Sequence, residues 1–172
     1  MIDVVSIVQA KAYARQGGVF LALLWLASFA AMMLFPQSPW GSLLAMATPF
    51  LVGWLLLRFR NLALDGQISI RRSLFFSVLT FFYASMIFAL SQYLYFKFLD
   101  NGTFMANLVS NANAFKAVYA QNGMPAKELD DAIALMGQLP PIQLAFIFMM
   151  QNIFMGLVLS LPVALVCHKK QK

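Results

Sequence analysis

The chain has 172 residues, 62% of them hydrophobic and only 10% charged, with a mean hydropathy of +0.76. A soluble domain is about 45–50% apolar and about 25% charged, so this composition excludes a water-soluble globule, a disordered chain and a small disulfide scaffold. The formal charge of +6 reads here as lysine and arginine held on one side of a membrane, not as nucleic-acid binding.

A spanning helix needs about 20 mostly apolar residues, and the apolar runs predict four. The fold expected is all-α: one polytopic membrane domain over 1–172, with four transmembrane helices and two amphipathic helices between spans three and four. The first 16 residues place Val4, Val5, Val8, Ala12 and Arg15 at helical spacing, which predicts a short amphipathic helix on the membrane surface. No small-residue cleavage site follows, so this segment does not read as a signal peptide. Gly17 and Gly18 are expected to break it before span one, over about 18–35. The uncharged connector Pro36-Gln37-Ser38-Pro39 follows, with Trp40 as an interfacial anchor.

Span two is predicted over 41–57. Its small residues Ser42, Ala45, Pro49 and Gly53 share one stripe, the pattern that lets two helices approach closely in lipid. Pro49 removes a backbone hydrogen bond and should bend the helix there. The segment 58–72 holds Arg58, Arg60, Arg71 and Arg72 against a single acid, Asp65. Asp65-Gly66 is a turn signal, and Ser69 is placed to cap the next helix. Span three, 73–99, is roughly 40 Å long and must tilt or protrude from a core of about 30 Å. Ser73, Ser77, Thr80, Ala84 and Ser91 form a packing seam along it, and Gln92 lies in its later half.

Residues 100–140 form the long hydrophilic stretch. Helices are predicted over 104–121, capped by Thr103 and closed by Gly123, and over 126–138, opened by Pro125. The first carries a stripe of Phe104, Leu108, Ala112, Phe115 and Tyr119. The second carries Leu129, Ala132, Ile133 and Met136. Both stripes are too polar to span and fit a helix lying on the membrane face. Asp100, three residues after Lys97, reads as its ion-pair partner. Span four is predicted over 142–166, bent by Pro162. Cys167 is the sole cysteine, so no internal disulfide forms, and it reads as a boundary residue.

Four spans put both termini and the arginine loop on one side. That side holds nine basic residues against two acids, and the other holds three against four, giving +7 and −1. The positive-inside rule then places both termini in the cytoplasm and 100–140 outside.

No GxGxxG, phosphate-binding loop, HExxH, GxSxG or cysteine pair is present, and no charged residue sits mid-span. No enzyme, cofactor or metal site is therefore expected, and ion-coupled transport is disfavoured. The polar exceptions are Gln151 and Asn152 in span four, with Gln143 two turns earlier. They fit either interhelical hydrogen bonds to Ser77 and Thr80 or a polar pocket for a lipid headgroup or small ligand. Gln92 suits either reading. The four loop arginines fit topology determinants or a site for a phosphate or anionic headgroup.

The segments KAYARQGGVF, RFRNLALDGQISIRRS and TFFYASMIFALSQYLYFKFLD together resemble a family of small bacterial membrane proteins, domain of unknown function 4199. The resemblance implies a four-span bacterial inner-membrane protein and supplies no catalytic residue. It also implies a membrane-associated glycosyltransferase as a partner. Two functions are expected in order. The first is a non-enzymatic accessory or scaffold subunit in envelope or lipid-linked glycan metabolism, contacting membrane lipids, that glycosyltransferase or a second copy of itself. The second is a small transporter or lipid-handling protein with its polar site in span four.

Overall fold

Membrane-length helices dominate the chain because its apolar runs are long and their backbone groups must be satisfied within each segment. In a computed structural model, residues 4–121 and 126–169 are described. They form α1 (Val4–Leu34), α2 (Trp40–Met46), α3 (Thr48–Ala63), α4 (Ile70–Phe98), α5 (Thr103–Gln121), α6 (Ala126–Gly137) and α7 (Pro141–Cys167). Among the described residues, four stretches are long and apolar enough to cross a membrane: Ile7–Leu34, Trp40–Ala63, Ile70–Phe98 and Pro141–Cys167. The protein is thus an all-α polytopic membrane protein. Gly123, Pro125, Lys170 and Lys172 lie outside the described residues, as do the side chains of Val4, Val5, Phe115 and Tyr119.

Gly17 and Gly18 do not break α1, which runs unbroken through both. A surface helix followed by a separate span is therefore incorrect. A glycine inside a helix costs about 1 kcal/mol against alanine, but here both face a neighbour at close range. A Cβ on Gly18 would lie 2.6 Å from Tyr83 Cβ, and one on Gly17 would lie 3.3 Å from Leu55 Cδ1. The pair marks a helix crossing in place of a terminus.

Span two is broken at Ala47, between α2 and α3. Pro49 has no N–H for the Ala45 carbonyl four residues back, and Ala47 N–H is shared between the carbonyls of Leu43 and Leu44 at the end of α2. The small stripe does not seat α2 on a neighbour either. Gly41 makes that contact, against Met32 of α1, while Ser42 and Ala45 stay exposed.

α4 is the central helix, packed along α1 and α7. Ser73, Ser77, Thr80 and Ala84 are buried on its seam, joined by Ser85, whereas Ser91 is only half-buried. Thr80, Ser85 and Ser160 satisfy their hydroxyls by donating to the carbonyls of Phe76, Phe81 and Gly156 one turn earlier. Aromatic rings fill the space between α1, α3 and α4. Phe59 stacks on Phe76 at 4.8 Å, and Trp25 meets Phe88 edge-on at 5.7 Å.

One end of the bundle is tied shut. Ile68 and Lys169 exchange backbone hydrogen bonds of 3.0 and 3.1 Å, and Arg60 Nη1 donates to Cys167 O at 3.0 Å. Arg72 donates to Gln9 Oε1, so the start of α1, the 64–69 turn and the end of α7 share this end. α5 and α6 lie beyond the opposite end of α4 and are linked by a Lys116–Asp130 ion pair of 2.7 Å. Asp100 does not pair with Lys97. Its Oδ1 accepts from Phe104 N–H at 3.0 Å, capping α5, while Lys97 donates to Tyr93. A carboxylate beside a helix N-terminus gains from the unpaired amides there.

Candidate functional site

The break in span two opens a gap in the bundle. α2 is held on α1, whereas α3 stays against α1 and also reaches α4 and α7 toward the tied end. Between the α2–α3 break and α7 this leaves a cleft of about 750 Å³. Its back wall is Trp25, Ser28 and Phe29 of α1 with Phe81, Phe88 and Gln92 of α4. One side is Ala45, Met46, Thr48, Pro49 and Phe50, and the other is Phe148, Gln151, Asn152 and Met155. Met46, Phe50, Gln151 and Met155 are exposed, so the cleft opens sideways from the bundle where a membrane would lie. Phe104 of α5 covers it toward the α5–α6 end, with its ring 5.0 Å from Phe96 and 5.8 Å from Phe148.

Two wall groups are satisfied within the protein. Trp25 Nε1 donates to Thr48 Oγ1 at 3.0 Å, and Ser28 Oγ donates to Gly41 O at 2.8 Å. Each bond ties span two back onto α1, which holds the cleft's mouth apart. Gln92 differs from these. It is only 4% exposed, and its Oε1 has no hydrogen-bond partner among the described residues. Leaving a buried amide oxygen unpaired costs about 1–3 kcal/mol. Among the described residues, no charged side chain lines the cleft.

Of the residues singled out in span four, Gln151 and Asn152 line this cleft. No described hydrogen bond joins them to Ser77 or Thr80. Thr80 donates within its own helix, and Ser77 Oγ has no partner among the described residues. Gln143 is not part of the group. It lines a separate groove between α4 and α7, with Ala89, Leu90 and Tyr93. Eight residues at 100° each turn Gln143 about 80° away from Gln151, enough to separate them.

The arginines do not converge on one point. Arg60 takes the end of α7, where unpaired carbonyls and the negative helix end favour a cation. Arg72 lies 5.7 Å over the Phe59 ring, and Arg58 lies 5.6 Å over Trp54. Arg71 is exposed.

The sequence did not single out Trp25, Ser28, Thr48 or Phe104 for this cleft. Their only prior signals were a tryptophan and serine inside an apolar run, a threonine beside a mid-span proline and a phenylalanine on the stripe of the helix predicted over 104–121. A family model described as "Protein of unknown function (DUF4199)" matches residues 16–169 of the chain. No curated protein and no solved structure matches it.

Proposed function

The chain belongs to the family described as protein of unknown function (DUF4199), and on that premise we propose that it is a non-enzymatic, lipid-handling protein of the bacterial inner membrane. The observation that carries this reading is a lateral cleft with three amides, those of Gln92, Gln151 and Asn152, on a largely apolar wall. A cleft open to the side receives its ligand from the membrane, not from water. Its aromatic and methionine walls suit an acyl or isoprenoid body. Its volume falls in the range of small-ligand sites.

The positive-inside rule supports a cytoplasmic location for both termini and the arginine loop, which puts α5 and α6 outside. In this orientation the cleft opens toward the outer leaflet. The protein then acts as an accessory component in envelope or lipid-linked glycan metabolism. Turnover is left to a partner such as the membrane-associated glycosyltransferase implied by the family resemblance. Lipid handling ranks above a purely structural scaffold because the cleft opens sideways and gathers three amides, Gln92, Gln151 and Asn152, on its wall.

Native mass spectrometry of the protein purified from its own membrane tests this reading. One retained lipid per chain is expected, and it should be lost when Gln92, Gln151 and Asn152 are all replaced by leucine. A lipid-free chain, or equal retention by the triple variant, contradicts it.

A further inference from the structure

The groove that Gln143 lines, between α4 and α7, shares no lining residue with the cleft and holds about 560 Å³. Ala89 and the buried Ala145 leave room at its base, and the exposed side chains of Leu90 and Phe146 flank it. The start of α4 lies by the end of α7, so the two helices run antiparallel. Tyr93 and Gln143 therefore stand at the end of the groove nearer α5 and α6, and the apolar side chains lie further in.

Lys97 extends the polar end. It is exposed, one turn beyond Tyr93, and its Nζ donates to Tyr93 Oη at 3.0 Å. Among the described residues no carboxylate pairs with it, and Asp100 turns its Oδ1 to Phe104 N–H. An ammonium has three donors, so two remain after Tyr93. The phenol oxygen accepts from that ammonium, which leaves its own proton to donate outward. Eight residues separate Lys97 from Ala89, about 12 Å along the helix. Cationic and polar groups at the outer end and a bare apolar length inward follow the order of a phospholipid.

We infer that this groove holds one anionic phospholipid, its phosphate bound by Lys97 Nζ and Tyr93 O–H and one acyl chain lying over Ala89 and Ala145. An ammonium beside a neutral phenol carries net positive charge, which an anionic headgroup complements. The amine of phosphatidylethanolamine offsets its own phosphate and gains less. A free phosphate ion would meet the donors and leave the apolar length uncovered. Nothing in this site depends on the cleft being occupied.

Leu90, Ile142 and Phe146 are exposed, so a lipid held here exchanges with its surroundings and is detected in a bilayer, not after extraction. The full chain is placed in phosphatidylethanolamine nanodiscs with a fixed fraction of diazirine-labelled phosphatidylglycerol or phosphatidylethanolamine. Peptide mass spectrometry then locates the cross-links. Labelling at Leu90 and Phe146 should be about fivefold stronger with phosphatidylglycerol, the effect of one cation at a membrane surface. At Leu34, exposed at the same end of the bundle, the two should be equal.

Lys97→Gln should bring the groove ratio to about one, and Lys97→Arg should keep it. Inorganic phosphate added at matched ionic strength should not change it. Equal labelling of the groove in the parent chain, a ratio that survives Lys97→Gln, or its loss to inorganic phosphate overturns the site. If Lys97→Gln fails to insert, the parent ratio and the phosphate competition decide alone. Labelling at Met46 and Met155 reports the cleft, so the two sites stand or fall separately.

Discussion

Trp25 and Thr48 are joined by a 3.0 Å hydrogen bond from indole N–H to hydroxyl, across 23 residues of sequence and at the point where span two breaks. The bond fixes α1 against the start of α3, and it does so at the edge of the cleft. A helix broken by proline leaves backbone groups in need of support from neighbours in a membrane. Here a side-chain pair holds the break in one position.

Thr48→Val should therefore destabilise the protein by about 1 kcal/mol, because it leaves the buried indole N–H without an acceptor. The same change in a Trp25→Phe background should cost much less. Unfolding in mixed micelles measures both, and purely additive losses would show that the pair is not coupled.

Close helix crossings predict a contrast among glycines. A Cβ at Gly156 would sit 2.5 Å from both Cβ and Cγ of Phe81, whereas one at Gly53 would meet only Cys167 Sγ at 3.8 Å. Gly156→Ala should destabilise by about 1–3 kcal/mol through overpacking. Gly53→Ala should be neutral or slightly stabilising, since alanine is the better helix former. Similar midpoints for the two variants would contradict the crossing.

Arg60 holds the end of α7, and Cys167 beside it is 5% exposed. Arg60→Ala should free that end and raise the rate of maleimide labelling at Cys167 by roughly tenfold, the equivalent of about 1.4 kcal/mol. Arg71→Ala should leave the rate unchanged, because Arg71 is exposed on the surface. Equal rates in all three proteins would mean that the arginine has no part in closing this end.

Orientation is tested with single cysteines at Gln67 and Asn113 in a Cys167→Ser background, probed in intact cells. The charge distribution predicts that a membrane-impermeant reagent labels position 113 and spares position 67. The reverse pattern would invert the protein in the membrane.

How much of this was legible in the sequence follows from the range of each interaction. Ser69 capping α4 and Pro49 disturbing span two are local effects, and the sequence pattern names both residues. Gly17 and Gly18 mislead because their helix-breaking tendency is also local, whereas the contacts with Leu55, Tyr83 and Ala84 are not. Gln143 was grouped with Gln151 by counting turns, and the 80° residual puts it in another groove. Asp100 drew attention as a partner for Lys97, yet the start of α5 competes for the carboxylate and takes it. The cleft itself was not legible. It depends on α3 reaching α4 and α7 while α2 packs on α1, and no periodicity within one helix records how the helices share neighbours.

The central claim is that a lipid occupies the cleft beside Gln92. Its most direct test is a side-chain-resolved structure of the full chain in nanodiscs made from its own membrane lipids, read at the gap between Pro49 and Asn152. The account predicts elongated density entering between Met46 and Met155 and ending beside the amides of Gln92, Gln151 and Asn152. It would be contradicted by α2 closed onto α7, with Gln92 hydrogen-bonded to a neighbouring helix and no lipid density between them.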